Sequence, residues 1–465
     1  MTRAAAVIGS LLLVLAALSS GRNAAGAQPA GSAPNVLLIQ ADDLGYGDLS
    51  AYGQSRFQTP ALDRLAREGT RFTQYYAGST VCAPSRTALM TGLHTGHASI
   101  RGNGEIALPD EDVTIAMALK AAGYRTAVIG KWGLGRPATT GQPDKKGFEY
   151  SFGFLDHRHA HRQFTDHLYR NAESIATDQG DYVNDLFTRE AAGFIEREDP
   201  RPFFLYLNYT VPHAELRVPE DSLQPLRGAF PETPFVNAAA DARPTGPDGP
   251  SLGYRSQPTP KAAFAAMIVR MDRDIGRLHD LLRARGIDRR TLLMFVSDNG
   301  PHQEGGGAPA FFKSSGGLRG IKRDLYEGGI RVPMIASWPG TIPAGRVSAH
   351  PWTHWDMFPT LGEIAAAKVP PGLDGRSMAG ALRGGRAPVH DFLYWEFHER
   401  GFQQAVRMGR WKAVRLAKDQ PLELYDLEKD PAETTNVAAT ERTIVQKIET
   451  YLKTARTESA QWPIK

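Results

Sequence analysis

The chain has 465 residues, 42% of them hydrophobic and 22% charged, a composition typical of a folded globular protein with two or three domains. The formal net charge at pH 7 is only +4, and no block of lysine and arginine residues is present. This pattern argues against a nucleic-acid-binding protein, so we expect no nucleic-acid partner.

The N-terminus has the pattern of a secretory signal peptide. Arg3 supplies a positive charge, an apolar run covers residues 4–18, and Ala25-Gly26-Ala27 offers a small-residue cleavage site. We predict a signal peptide over residues 1–27, export to the periplasm or the extracellular space, and no stable membrane insertion after cleavage. The alternative is an uncleaved anchor helix, for which the apolar run is short.

Four apolar runs predict β-strands that are buried on both faces, because they lack the polar alternation of a half-exposed strand. They cover residues 36–39, 126–129, 203–207 and 292–296. Helical patterns lie between them, as over residues 268–282, where Gly286 follows at the position of a C′ glycine. We predict an α/β fold with a large mixed, mostly parallel central sheet flanked by helices.

Polar side chains follow each of the four runs. In chain order they are Asp42 with Asp43, then Lys131, then His213, then Asp298 with Asn299. Ligands of open α/β sheets bind outside the carboxyl ends of the strands. We therefore expect these side chains to converge on one cleft.

Two long stretches, residues 226–260 and 300–320, are rich in glycine and proline. Such loops in a compact domain are typical of lids and binding loops, and the alternative is a plain surface insertion.

The pattern of the sequence changes after Met378. Short antiparallel strands are predicted over residues 392–397, 404–407, 411–415 and 422–427, followed by a helix over residues 442–452. We predict a catalytic domain over residues 28–370 and a smaller C-terminal α+β domain over residues 371–465.

The segment Cys82-Ala83-Pro84-Ser85-Arg86 carries the only cysteine, so the chain has no internal disulfide. Pro84 and Ser85 suit a helix start, which places Cys82 just before a helix N-terminus. That end favours a bound anion, and Arg86 adds a full positive charge. The alternative is a buried cysteine that packs as a small hydrophobic residue.

This segment, with Thr91-Gly92, resembles the signature of the formylglycine-dependent sulfatases, the type I, arylsulfatase-like members of the alkaline phosphatase superfamily. Further matching segments are residues 35–43, 123–126, 130–132 and 297–300, and Lys322 followed by residues 326–333. The resemblance implies that a maturation enzyme oxidises Cys82 to formylglycine. The hydrate of that aldehyde then attacks sulfur with one hydroxyl and expels sulfate with the other.

An acidic set predicts a metal site. Asp42, Asp43, Asp298 and Asn299 offer only oxygen ligands, which select a hard cation such as Ca²⁺ or Mg²⁺. A formylglycine at position 82 would add a further oxygen, and the resemblance implies calcium. The alternative for each acidic pair is a helix cap or a turn.

A cationic set completes the predicted site: Arg86, Lys131, His213 and Lys322. Taken singly, each of them is better explained as a surface charge than as a catalytic residue. The resemblance assigns Arg86 and Lys131 to the nucleophile and a sulfate oxygen, and Lys322 to sulfate. It assigns His213 to protonation of the leaving oxygen, together with Lys322.

The chain departs from the family at Gly133, where a histidine often stands. We expect His161, with His159 second, to replace it, because residues 156–161 follow soon after the Lys131 strand. The alternatives are sugar contacts and a solvated loop. The glycine variant resembles a bacterial subgroup that often acts on sulfated sugars.

These patterns predict an exported sulfatase that hydrolyses an organic sulfate ester, with a sulfated carbohydrate as the expected substrate. One alternative is a phosphate or phosphonate monoester hydrolase of the same superfamily, although no Asp/His pair has zinc-ligand spacing. The other is a non-catalytic glycan-binding protein, against which the intact Cys82, Arg86, Lys131 and Lys322 argue.

Overall fold

The computed structural model describes residues 33–104, 106–178, 180–242 and 253–464. The predicted signal peptide lies outside these residues. Within the described ranges, no helix is long and apolar enough to cross a bilayer.

Eleven strands of the described residues form one large sheet. They are β1 Asn35–Asp42, β2 Thr70–Tyr76, β3 Arg125–Lys131, β4 Tyr150–Phe154, β5 His167–Arg170, β6 Glu173–Ala176, β7 Phe203–Pro212, β8 Thr291–Ser297, β9 Arg331–Ser337, β10 Arg346–Ser348 and β11 Trp352–Thr353. Their order is β10-β2-β9-β8-β1-β7-β3-β4-β5-β6, with β11 paired to β2. The central strands β8, β1, β7, β3 and β4 are parallel, and β9 and β5 join antiparallel on either side. The predicted mixed, mostly parallel sheet is therefore confirmed.

The four predicted runs are the central strands β1, β3, β7 and β8. Each is buried along its whole length because a hydrophobic core lies on both faces of the sheet. In β1, Leu37 and Ile39 belong to one core, whereas Val36 and Leu38 belong to the other. Burying a side chain of this size contributes about 1.5–3 kcal/mol, which explains why these strands lack polar alternation.

Helices cover both faces of the sheet. The α-helices of the described residues are α1 Pro60–Glu68, α2 Cys82–Thr91, α3 Ile115–Ala121, α4 Val183–Glu196, α5 Glu220–Leu223, α6 Ala238–Asp241, α7 Pro260–Ala284, α8 Pro309–Phe312, α9 Glu327–Ile330, α10 Met357–Ile364, α11 Ala379–Leu382 and α12 Arg442–Leu452, the last of which lies on the second sheet. Helices α1, α4 and α7 pack in one core, and α2, α3 and α10 pack in the other. Gly286, with φ 64°, follows α7 at the predicted C′ position.

A second, antiparallel sheet follows, with the strands β12 Leu393–Phe397, β13 Gln403–Met408, β14 Trp411–Arg415 and β15 Glu423–Asp426 in chain order. The predicted strands and the helix α12 are confirmed. One face of this sheet packs on α12 through Ile448 and Leu452. The other face packs on the α2 region, where Trp395 Nε1 donates to the Ala77 carbonyl at 2.9 Å. The C-terminal sheet thus supports the helix that carries Cys82.

Candidate active site

The strand register brings the predicted polar residues together at one edge of the sheet. Asp42 in β1 lies beside Pro212 in β7, which immediately precedes His213. Ala41 lies beside Ser297 in β8, which immediately precedes Asp298. The predicted convergence of the strand ends on one cleft is confirmed.

Three carboxylates in the cleft each pair with a basic side chain. Lys131 Nζ lies 2.7 Å from Asp42 Oδ2, and Lys322 Nζ lies 2.7 Å from Asp43 Oδ2. Arg86 Nη2 lies 2.9 Å from Asp298 Oδ2, and Arg86 Nε donates to the same oxygen at 3.1 Å. All six side chains are buried. Because the cleft contains three acidic and three basic side chains, it can take a cation beside the carboxylates and an anion beside the bases.

The pKa values of the three carboxylates show how the charges are distributed. Burial favours the protonated forms of Asp42 and Asp43, but the charges of Lys131 and Lys322 prevail and lower both pKa values. For Asp298, burial and the charge of Asp42 prevail and raise the pKa to about 7. A cation bound near Asp298 would therefore favour its ionised form.

Cys82 is the first residue of α2, with Val81 as the N-cap, so the helix begins one residue earlier than predicted. The Cys82 side chain is buried, and burial raises the pKa of its thiol to about 11. Its sulfur lies within 4.8 Å of ligand atoms of Asp42, Asp43 and His213. A neutral thiol is a weak nucleophile and a weak metal ligand.

The acidic residues fit a hard cation. Among the described residues, Asp42 Oδ1 and Asn299 Oδ1 are buried and accept no hydrogen bond. The remaining oxygens are held in place: Asp43 Oδ1 accepts from Asn299 Nδ2 at 2.7 Å, and Asp298 Oδ1 accepts from the Asp43 amide at 3.0 Å. Because buried oxygens without donors are costly, this pair of unsatisfied oxygens suits Ca²⁺.

His213 and Lys322 form a hydrogen-bonded pair. Lys322 Nζ lies 3.0 Å from His213 Nε2, and His213 Nδ1 lies 2.5 Å from the Ala214 carbonyl oxygen. The carbonyl can only accept, so Nδ1 carries the proton and Nε2 accepts from Lys322. Burial, then the Lys322 charge, lowers the pKa of His213 to about 4. Lys322, whose pKa is raised by Asp43 against the effect of burial, holds the proton of this pair.

His159 and His161, the two histidines predicted to serve the site, lie in different environments. The His161 ring stacks on the His213 ring with centroids 4.3 Å apart, and His161 Nε2 has no hydrogen-bond partner among the described residues. His159 lies elsewhere, with its Nε2 2.8 Å from Thr165 Oγ1 and its ring against Phe154. The structure therefore brings His161 to the cleft and leaves His159 outside it.

The position of Gly133 is open. A Cβ built there would meet no atom within 4 Å, and φ is 73°, in the left-handed region that favours glycine. His157 lines the same small cavity and contacts His161 edge-to-face with centroids 5.0 Å apart. Sequence reasoning did not single out His157, because its spacing gave no signal beyond the run of histidines.

Other residues of the site were also missed. Asn208 Oδ1 accepts a hydrogen bond from Arg86 Nη1 at 3.1 Å. The sequence signal that could have identified Asn208 is its position as a polar residue inside the otherwise apolar strand β7. Asn103 Oδ1 accepts from the Ala83 amide at 3.0 Å in the first turn of α2. Glu304 and Tyr254, joined by a 2.8 Å hydrogen bond, come from the two long loops. Both loops thus contribute to the cleft, as expected of binding loops.

Comparison with known proteins identifies the family. The family model described as Sulfatase matches residues 34–367, which include every predicted site residue. The chain belongs to the sulfatase family. A second model, described as N-sulphoglucosamine sulphohydrolase, C-terminal, matches residues 321–459.

Curated relatives and solved structures resemble this sulfatase over most of its length. An arylsulfatase of Hemicentrotus pulcherrimus is 31% identical over 430 residues, covering 85% of this chain and 70% of the relative. An N-acetylgalactosamine-6-sulfatase of Canis lupus familiaris is 32% identical over 450 residues, covering 88% and 76%. The structure of Ps i-CgsB in complex with k-i-k-neocarrahexaose superposes with a TM-score of 0.77 at 28% identity, covering 93% and 95%. The family prediction is confirmed, and the protein is a sulfuric ester hydrolase.

Proposed function

We propose that this sulfatase removes sulfate from a sulfated carbohydrate after export to the periplasm or the extracellular space, and that a formylglycine-generating enzyme acts on Cys82 beforehand. The observation that carries this proposal is the set of three acid–base pairs in the cleft beside residue 82. They are Arg86 with Asp298, Lys131 with Asp42, and Lys322 with Asp43. A carbohydrate substrate is supported by the relative named an N-acetylgalactosamine-6-sulfatase and by the similar structure that holds a carrahexaose.

Two groups complete the chemistry. Oxidised to formylglycine, residue 82 would supply, as the hydrate, one hydroxyl group for attack on sulfur and a second whose deprotonation restores the aldehyde as sulfate leaves. Asp42, Asp43, Asp298 and Asn299 would hold calcium, which supplies positive charge to a sulfate oxygen and favours ionisation of the attacking hydroxyl.

Arg86 and Lys131 orient the reacting groups. Arg86 is fixed by Asp298, by Asn208 and by the Lys131 carbonyl, which its Nη1 reaches at 2.9 Å. Lys131 is fixed by Asp42. Because both cations are buried and already positioned, they stabilise developing negative charge without reorganisation during the reaction.

Lys322 and His213 handle the proton of the leaving alcohol. Lys322 carries the proton and donates to His213 Nε2, so proton transfer to the leaving oxygen passes from Lys322, which the His213 ring holds in position. This refines the predicted role of His213, because a neutral imidazole needs its lysine neighbour to act as an acid.

The proposal is tested by comparing esters of the same alcohol. We expect kcat/KM for an aryl sulfate to exceed that for the matching aryl phosphate at least about a hundredfold, since the site balances a monoanionic ester against its cations. A preference for phosphate would instead support the phosphate or phosphonate monoester hydrolase. Saccharide binding without any turnover by aldehyde-containing protein would support the glycan-binding protein.

We propose that His161 accepts a proton as sulfate leaves. Burial, then the neighbouring His213, holds the pKa of His161 well below its usual range, so the ring is neutral before the step, and its Nε2, which has no hydrogen-bond partner among the described residues, is the atom that would accept. We expect His161→Ala to give a burst of alcohol followed by a slow steady state, because sulfate release becomes limiting. Stopped-flow measurement of alcohol and sulfate release checks this.

His159→Ala is the matched control and should show no burst, because His159 bonds Thr165 outside the cleft. If His161 contacts sugar instead, its replacement should raise KM on saccharides and spare aryl sulfates. If His161→Ala shows wild-type kinetics on both saccharides and aryl sulfates, His161 has neither role and residues 156–161 are a plain surface loop.

A further inference from the structure

A pocket of about 370 Å³ opens beside the cleft and is lined by Gln303, Glu304, Lys322, Arg323, Glu399 and Arg400, with one apolar side chain, Ile321. Its volume falls in the range of about 300–1,000 Å³ that small-molecule sites occupy. Lys322 connects the pocket to the reaction centre, because its Nζ lies 2.7 Å from Asp43 Oδ2. A group bound in this pocket therefore adjoins the sulfate ester.

The centre of the pocket is a set that we call the Arg323 clamp, formed by Arg323, Glu304 and Glu399. Arg323 Nη1 lies 2.5 Å from Glu304 Oε1, and Arg323 Nε lies 3.1 Å from Glu399 Oε2. Glu304 follows β8, whereas Glu399 lies between β12 and β13 of the C-terminal sheet. The clamp thus joins the two sheets across the pocket.

Arg323 adopts φ 76°, in the left-handed region that favours glycine. Its amide donates to the Thr80 carbonyl at 3.0 Å, which fixes this conformation beside the α2 region. Backbone strain at a non-glycine residue is concentrated at functional sites. The left-handed backbone and the paired side chain of Arg323 thus both lie at the pocket.

The chemistry of the clamp selects the class of ligand. Each carboxylate offers about four acceptor sites and the guanidinium five donors, of which the internal contacts use only some. The carboxylate pKa of Glu304 is lowered, against the effect of burial, by Lys322 and His213, so it is an ionised acceptor at neutral pH. Fixed donors and acceptors side by side match vicinal hydroxyl groups. An aromatic or steroid group would leave them unpaired at a cost.

The clamp also disfavours a second anionic group. All three cations of the lining are already paired: Lys322 with Asp43, Arg323 with Glu304 and Glu399, and Arg400 with Asp324 at 3.4 Å. We infer that this pocket binds the hydroxyl groups of an uncharged sugar ring, which the Arg323 clamp holds next to the sulfate ester. The inference rests on the proposed function and adds to it the residues that recognise the sugar.

Glu399→Gln tests the inference, because it keeps the size of the side chain and removes the charge. A hydrogen bond to a charged group is worth about ten- to a hundredfold in affinity. We expect kcat/KM on a monosulfated neutral oligosaccharide to fall by about that factor, mainly through KM. The loss on an aryl sulfate should be at least about ten times smaller.

Glu428→Gln is the matched control. Glu428 belongs to the same C-terminal region and pairs with Arg410 at 3.0 Å, but it is exposed and outside the pocket. We expect this variant to retain wild-type kinetics on both substrates. Substrates lacking one ring hydroxyl should lose kcat/KM with wild-type enzyme and lose less with Glu399→Gln, which isolates the contact.

The outcomes are distinguishable. If Glu399→Gln lowers kcat/KM equally on the saccharide and the aryl sulfate, Glu399 is a structural residue. If the variant leaves saccharide kinetics unchanged, the sugar does not bind in this pocket. Better turnover of saccharides with a second anionic group beside the ester would also overturn the inference. Failure of aldehyde-containing wild-type enzyme on every sulfate ester would overturn the proposed function itself.

Discussion

Replacement of Cys82 by alanine is expected to abolish turnover, with kcat lower by on the order of 10⁴-fold or more, because no other group supplies the nucleophile. The change removes one buried sulfur atom. Helix α2 stays in place because the Ser85 hydroxyl still donates a hydrogen bond to the Asp298 carbonyl at 2.5 Å. The free energy of unfolding should change by about 1–2 kcal/mol at most. Steady-state kinetics and thermal unfolding of the same preparation measure the two effects.

A thiol titration provides the control for that experiment. Cys82 is the only cysteine, so the titration reports on this position alone. Fully active wild-type protein should contain almost no free thiol, whereas protein made without the maturation enzyme should contain one per chain. Substantial activity of Cys82→Ala would show that another group attacks sulfur.

Removal of calcium should have the second largest effect. We expect chelation to lower kcat at least about a hundredfold, because the proposed cation would supply charge that Arg86, Lys131 and Lys322 alone do not. The melting temperature should fall by several degrees, since an ion that binds only the folded state stabilises it by about 2.7 kcal/mol at 100 times its dissociation constant. Metal analysis, kinetics and calorimetry before and after chelation measure these changes.

Two variants make the calcium test specific to the site. Asn299→Ala should weaken calcium binding, because it removes a buried oxygen that accepts no hydrogen bond among the described residues. Asp280→Asn changes an exposed carboxylate that pairs with Arg64 at 2.8 Å outside the cleft, and it should bind calcium as the wild type does. Unchanged activity and melting temperature in metal-free protein would rule out calcium at this site.

The central strands were predictable because burial on both faces leaves an apolar run that local sequence reveals. The edge strands β5 and β6 were not predicted, because they are short and partly exposed and so carry no such run. The polar residues at the strand ends were predictable for a related reason: parallel strands place their carboxyl ends side by side.

The pairing of charges could not be predicted from the sequence. Asp43 and Lys322 are 279 residues apart, and each belongs to a different motif. The sequence therefore predicts that the acidic and cationic sets share one cleft, but not which acid pairs with which base; in the structure each of the three carboxylates has its own base. Glu399 was missed for the same reason, since only the packing of the two sheets brings it to Arg323.

The most direct test of the central claim is the rate of sulfate release as a function of the aldehyde content at position 82. Preparations with different aldehyde fractions can be made by varying the maturation enzyme during expression, and peptide mass spectrometry measures each fraction. If the nucleophile derives from Cys82, the rate on an aryl sulfate should rise in proportion to the aldehyde fraction and extrapolate to zero. A rate that does not depend on the aldehyde fraction, or full activity with unmodified Cys82, would contradict it.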